Sequence, residues 1–230
     1  MPSLPSALAL GSIGTNSLIV ASDLRNNFAA VQTEMNALLA VLAGGAAGQA
    51  VGGVGQTLTW GGQPAIFDSM LGGDAATIDI TSIPAFRHLR LVVQGRSSAA
   101  AITDSVGLRF NNDTGANYDY EILRGGAAVV VGQEAFAQTF AYIGSVAGNT
   151  APAGADGSSV VTINDAQGVT FHKVTSTISS CKTGTTTGTL QTDRIGGFWR
   201  SAAAVNRITL ILTSGGNFKA GTRCTLYGTD

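Results

Sequence analysis

The sequence predicts a mainly β protein: an antiparallel β-sandwich, jelly-roll-like, behind a short N-terminal α-helix that forms a coiled-coil stem. Three observations carry this. Apolar and polar residues alternate in short runs from about residue 74 onward. Gly, Asn, Asp, Ser and Thr punctuate those runs at close intervals. A single helical repeat and a glycine-rich stretch precede them. The division is therefore 1–43, an anchor and oligomerising helix; 44–73, a glycine-rich neck and small β-hairpin; and 74–230, a β-sandwich knob.

The helix lies in "DLRNNFAAVQTEMNALLAVLAGG", residues 23–45. Leu24, Phe28, Val31, Met35, Leu38 and Leu42 follow one another at alternating steps of 4 and 3, the apolar seam of a heptad repeat. Arg25, Asn27, Gln32, Glu34 and Asn36 fall between them on the polar side. Ser22 or Asp23 supplies an N-terminal cap, and Gly44–Gly45 ends the helix. At 1.5 Å per residue the seam is roughly 27 Å long, too short to stand alone in water. It needs a partner, either the chain's own β-domain or identical chains. The seam by itself does not distinguish two strands from three, because Phe28 and Met35 are not the residues that fix oligomer number.

Residues 44–55, "GGAAGQAVGGVG", are half glycine, a composition that suits a flexible linker or a tightly threaded neck. In "GQTLTWGGQPAIF", Leu58 and Trp60 alternate with Thr57 and Thr59, Gly61–Gly62 turns, and Ala65–Phe67 returns as a hairpin. Ten further strands are expected at 76–81, 88–95, 105–111, 118–123, 137–144, 159–164, 169–179, 196–200, 207–213 and 222–228. The alternation is cleanest in "HLRLVVQG" and "RITLILT". Short strands in this number, joined by turns, make one double-sheet domain.

Composition narrows the function. Only 12% of residues are charged and 31 are glycine, so Ser, Thr, Asn, Gln and backbone must solvate the surface. A net charge of −1 offers no footprint for nucleic acid. No Lys/Arg cluster marks a membrane surface, and the apolar run after residue 36 is broken by glycine before it could span one. No basic residue precedes Arg25, so a secretory signal is not expected. Cys181 and Cys224 allow one disulfide or two semi-buried thiols, the latter being usual in a reducing cytoplasm.

"GVGQTLTWGG", "LRFNNDTGANYDYEIL" and the terminal "NRITLILTSGGNFKAGTRCTLYG" resemble segments of tailed-bacteriophage virion proteins. In that group a short helix and a glycine-rich neck precede a β-sandwich ending near an "LYG" triplet. Gly221 and Gly228 match the glycines of that ending, while Cys224 departs from it. The resemblance implies a fibre, spike or surface knob, typically a homotrimer made in the bacterial cytoplasm and carried in the virion. Its implied partners are itself, other tail or capsid proteins, and a glycan or protein of the host surface. It carries over no catalytic residue.

The residues themselves point the same way. His88 and His172 stand alone in strands, and no Cys/His spacing suits a metal. "NNDTGANYDYE" gathers oxygen donors without an EF-hand spacing, and reads as a hydrogen-bonded turn. Asp119 and Glu121 share one strand face, whereas a glycosidase places its carboxyls on opposite sides of a cleft. No nucleophile elbow or phosphate loop is present. Asp113, Tyr118, Asp119, Tyr120 and Trp199 are the candidate ligand contacts, being acids and aromatics close to one loop. No catalytic residue, metal or cofactor is expected. The expected function is a trimeric short tail fibre or spike for host-surface adsorption. The alternative is a capsid decoration or cement protein, and a polysaccharide depolymerase stands a distant third.

Overall fold

The computed structural model describes Thr33 and residues 50–51, 60–61, 65–126, 129–184 and 190–229. The chain divides into two compact units, Met1–Gly62 and Gln63–Asp230. In the first, Thr33 is helical and exposed, and β1 (Ala50–Val51) pairs antiparallel with β2 (Trp60–Gly61). The seam residues Leu24, Phe28, Val31, Met35, Leu38 and Leu42 lie outside the described residues. Trp60 pairs with Val51, so the expected hairpin partner for it is not the run after Gly62. That run, β3 (Ala65–Met70), belongs to the second unit and pairs with the last strand, β14 (Arg223–Thr229). The physical reason lies in Asp68, which accepts hydrogen bonds from Arg223 Nη2 at 2.6 Å and Thr225 Oγ1 at 2.8 Å across that pair.

The second unit is two antiparallel sheets. The larger has the order β3–β14–β5–β10–β11–β12–β7–β8, with β5 at His88–Gly95, β10 at Gly157–Ile163 and β11 at Lys173–Lys182. Its remaining members are β12 (Leu190–Trp199), β7 (Tyr118–Gly126) and β8 (Val129–Gln138). The smaller has the order β4–β13–β6–β9, with β4 at Thr77–Ile80, β13 at Ile208–Leu212, β6 at Thr103–Phe110 and β9 at Ala141–Ala147. One hydrophobic core joins them: Leu89, Leu91, Val161 and Leu226 from the larger sheet, with Ile78, Leu108, Ile143 and Leu210 from the smaller. In β5 the alternation places Leu89, Leu91 and Val93 inward and Arg90 and Gln94 outward.

The path of the chain explains the unequal widths. Leaving aside β7, β8, β11 and β12, the chain alternates between the larger sheet (β3, β5, β10, β14) and the smaller (β4, β6, β9, β13), except that β9 follows β6 within the smaller sheet. Two hairpins, β7–β8 and β11–β12, are inserted into this alternation and both extend the larger sheet beyond β10. Their pairing with each other, β12 against β7, closes a four-stranded wing.

One expected strand needs correction. The run 137–144 is not one strand: β8 ends at Gln138, Thr139–Phe140 bend, and β9 begins at Ala141. Ala137, at φ 53°, lies in the irregularity that interrupts the β7–β8 ladder before its last pair, Tyr118 with Gln138. Strand β9 is buried at every position, because it lies against β10–β12 with almost no gap. Gly144 sits there at φ 116°, and a Cβ on it would come within 2.0 Å of Ser179 Oγ.

Candidate functional site

The loop singled out in the sequence is a rigid turn. Asn111 and Asn112 both adopt positive φ, as a short side chain that bonds its own backbone permits. Asp113 then accepts from Gly115 N–H at 2.8 Å, from Asn117 Nδ2 at 3.0 Å and from Trp199 Nε1 at 2.6 Å. Burial opposes its charge, but the bonds from Trp199, Asn117 and Gly115 prevail and hold the carboxyl below its ordinary range.

Tyr118 and Trp199 are corrected from ligand contacts to core residues, since both are buried. The Tyr118 hydroxyl accepts from Phe110 N–H at 2.9 Å and reaches the Asp113 carbonyl at 3.2 Å. Its ring lies 6.3 Å from that of Trp199, which packs 5.3 Å from Phe110. Burial raises the phenol well above its usual value. Asp113, Tyr118 and Trp199 therefore do meet, but as the plug at one end of the core.

Asp119 and Tyr120, adjacent on β7, point to opposite faces of the sheet. Asp119 accepts from Ala137 N–H at 2.9 Å and lies 3.7 Å from Arg200 Nε, fastening the β8 irregularity. Tyr120 is half-buried between Phe140 and Tyr142, at 6.4 and 5.8 Å. Glu121 is exposed and faces Glu134 directly across the β7–β8 ladder.

A second heavily bonded acid went unnoticed in the sequence. Asp193, 1% exposed, accepts from Arg124 Nε at 2.9 Å and Nη2 at 3.1 Å, Tyr142 Oη at 2.9 Å and Gln191 Nε2 at 2.8 Å. Arg124 also donates to Tyr142 Oη at 2.9 Å. Burial pushes the Tyr142 phenol upward, whereas the Asp193 bond holds Arg124 firmly charged. One of these bonds falls on Oδ1 and three on Oδ2, so the buried carboxylate ties the strands of the wing together. Lys173 is likewise buried, its Nζ donating to the carbonyls of Gly168 and Phe171.

The remaining titratable groups are dispersed. His172, just before β11, packs edge-on against Phe198 at 5.4 Å, whereas His88 begins β5. Cys181 and Cys224 are free and buried, their thiols pushed up to about 11 and about 12 by burial. Among the described residues no group of three His, Cys, Asp or Glu could hold a metal ion.

Open concavity occurs where β5, β10, β11 and β14 end. Two hollows of about 370 and 510 Å³ share Gln94, Gly154, Ala155 and Asp156. Arg96 builds their wall, donating to the carbonyls of Gly148, Ala151, Pro152 and Ala155 and so folding the 148–156 loop around itself. Lys182, Lys219 and Arg223 put cationic groups on the rim, while among the described residues Asp156 is the sole carboxylate lining either hollow. From there a row of neutral polar side chains, Gln94, Ser158, Ser180 and Thr192, runs across the outer face of the larger sheet. Beside it runs an apolar row, Val92, Val160, Ile178 and Leu123, interrupted by Arg194.

The wing carries most of the exposed apolar surface. Among the described residues the large apolar side chains that stand most exposed are Leu123, Val129, Val130, Val131, Phe136, Val174, Ile178 and Leu190 on its four strands, against Met70, Val169 and Phe171 elsewhere. Comparison with protein families, with curated proteins and with solved structures finds no match for this chain.

Proposed function

We propose that this chain is a non-enzymatic structural protein of a tailed-bacteriophage virion. In this reading it is a homotrimeric short tail fibre or spike, anchored by its N-terminal helix and displaying its β-domain to the host surface. The β-domain is read as a jelly-roll sandwich. Support comes from the strand order β3–β14–β5–β10 in one sheet and β4–β13–β6–β9 in the other, visited alternately along the chain except that β9 follows β6 within the second sheet.

The observation that carries the non-enzymatic reading is the commitment of the acids. Asp68, Asp79, Asp104, Asp113 and Asp193 each accept hydrogen bonds from neighbouring strands or loops. The hollows have one carboxylate where hydrolysis of a glycosidic bond asks for two. The polar row from Gln94 to Thr192, beside an apolar row, is suited to weak contact with a glycan. Threefold repetition would turn such contacts into useful avidity. The test is adsorption: purified full-length protein should bind host cells, compete with particles for them, and leave the surface polysaccharide intact.

A further inference from the structure

We propose that β8 is a subunit contact, at which the edge strand of one chain pairs antiparallel with β8 of a second copy across a twofold axis. A twofold contact cannot be repeated around three chains, so it joins chains of different trimers; it goes beyond the helical seam and does not depend on it.

Strand β8 is the edge of the larger sheet among the described residues, and nearly every position on it is exposed. Val130 on one face is 68% exposed and Val131 on the other 48%. Its free edge must also offer alternate N–H and C=O groups, a template that stable monomers normally blunt with Lys, Pro or a short strand. The opposite edge is blunted in that way: β3 is short and carries Asp68 tied to Arg223. In contrast β8 is ten residues long, has no Lys or Pro, and opens with Val129–Val130–Val131. Whatever covers it must supply a strand for the edge and apolar groups for both faces.

A second copy does this in one register. Gly126 and Val129 close the β7–β8 hairpin around a two-residue connection, which makes them a hydrogen-bonded pair. Odd-numbered residues of β8 up to Ala135 then bond to β7, and Val130, Gly132 and Glu134 direct their N–H and C=O to the free edge. Centring the twofold axis on Gln133 sets Gly132 opposite Glu134 of the second copy, and Val130 opposite its Phe136. On the other face Val131 meets Ala135, and the two Gln133 amides, each donor and acceptor, meet each other. Shifting the axis to Glu134 would oppose two carboxylates, shifting it to Gly132 would oppose Val130 to Glu134, and shifting it to Val131 would shorten the paired stretch of β8 to residues 129–133. Apolar and charged groups are both accommodated when the axis falls at Gln133.

The register makes Gln133 a non-hydrogen-bonded cross-strand pair with its own copy, with Cα atoms about 4.5 Å apart. A cysteine there is within disulfide reach of its mate. The test uses the full chain carrying Gln133→Cys, treated with oxidised glutathione and run on a non-reducing gel; both native thiols are buried. Most of the protein should run as a linked dimer, whereas Val169→Cys, on a 71% exposed loop residue, should stay unlinked. Adding Val130→Lys to Gln133→Cys should cut linkage at least tenfold without unfolding, since Val130 is already exposed. Adding Val31→Asp and Leu38→Asp should leave linkage in place, which separates this contact from the seam. Linkage at Gln133→Cys no greater than at Val169→Cys, or unchanged by Val130→Lys, would overturn the proposal.

Discussion

Arg124 clasps Asp193 with two nitrogens, Nε to Oδ1 at 2.9 Å and Nη2 to Oδ2 at 3.1 Å, although the residues come from separate insertions. One stands on β7 and the other on β12, directly opposite in the ladder that joins the two hairpins. Removing Arg124 leaves a buried carboxylate with fewer donors. Arg124→Met should cost about 3 kcal/mol, the low end for orphaning a buried partner because Arg124 itself is a third exposed. Tyr142→Phe should cost about 2 kcal/mol, because the hydroxyl bonds Asp193, Arg124 and Ser145 while Arg124 and Asp193 keep each other. Urea midpoints should fall in that order with unchanged slope.

The Asp113–Trp199 bond makes an optical prediction. Asp113→Ala removes the acceptor of Trp199 Nε1 and of the Gly115 and Asn117 donors. The turn should loosen, at about 1–3 kcal/mol. Tryptophan emission should shift to the red as water reaches the indole.

Acid should destabilise the β-domain. Burial of Asp79 works against its charge, yet bonds from Thr209, Arg207 and Thr77 leave its carboxyl below the ordinary value. Asp113 is lowered as well. A carboxyl with a lowered folded value stabilises the fold above its unfolded pKa, and that contribution disappears as pH falls through the folded value. Melting temperature should therefore hold near neutrality and decline below about pH 4. Asp79→Asn should flatten the decline.

Burial makes the opposite prediction for the thiols. Cys181 and Cys224 are raised to about 11 and about 12, so the unfolded chain loses these protons first as pH rises. Stability should fall above about pH 9. At neutral pH neither thiol should react with a thiol reagent until the protein unfolds, and reductant should leave the melting temperature unchanged.

Much of this fold was legible because its central strands are one-sided. Leu89, Leu91 and Val93 in β5 alternate against polar residues as a half-buried strand requires, and Ile208 and Leu210 in β13 keep that alternation although Thr209 between them is buried too. The wing was harder to read. Strand β8 is exposed on both faces, so its Val129–Val131 run has no period. Strand β9 is buried on both, and Gly144 and Ser145 there read as turn residues although they allow close sheet approach. The candidate site failed for a related reason. Acids and aromatics in "NNDTGANYDYE" look displayed, but whether Asp113 faces a ligand or Trp199 depends on a contact 86 residues away. Asp193 gave no local signal, since its four donors come from β7, β9 and its own strand.

The central claim is that this chain is built into a phage particle and displayed there as a trimer. Quantitative mass spectrometry of particles purified to constant protein composition tests it most directly, by counting copies per particle. The fibre reading predicts tens of copies in a multiple of three, located at the tail by antibody labelling. Hundreds of copies on the head would move the protein to capsid decoration. Its absence from such particles would contradict the account.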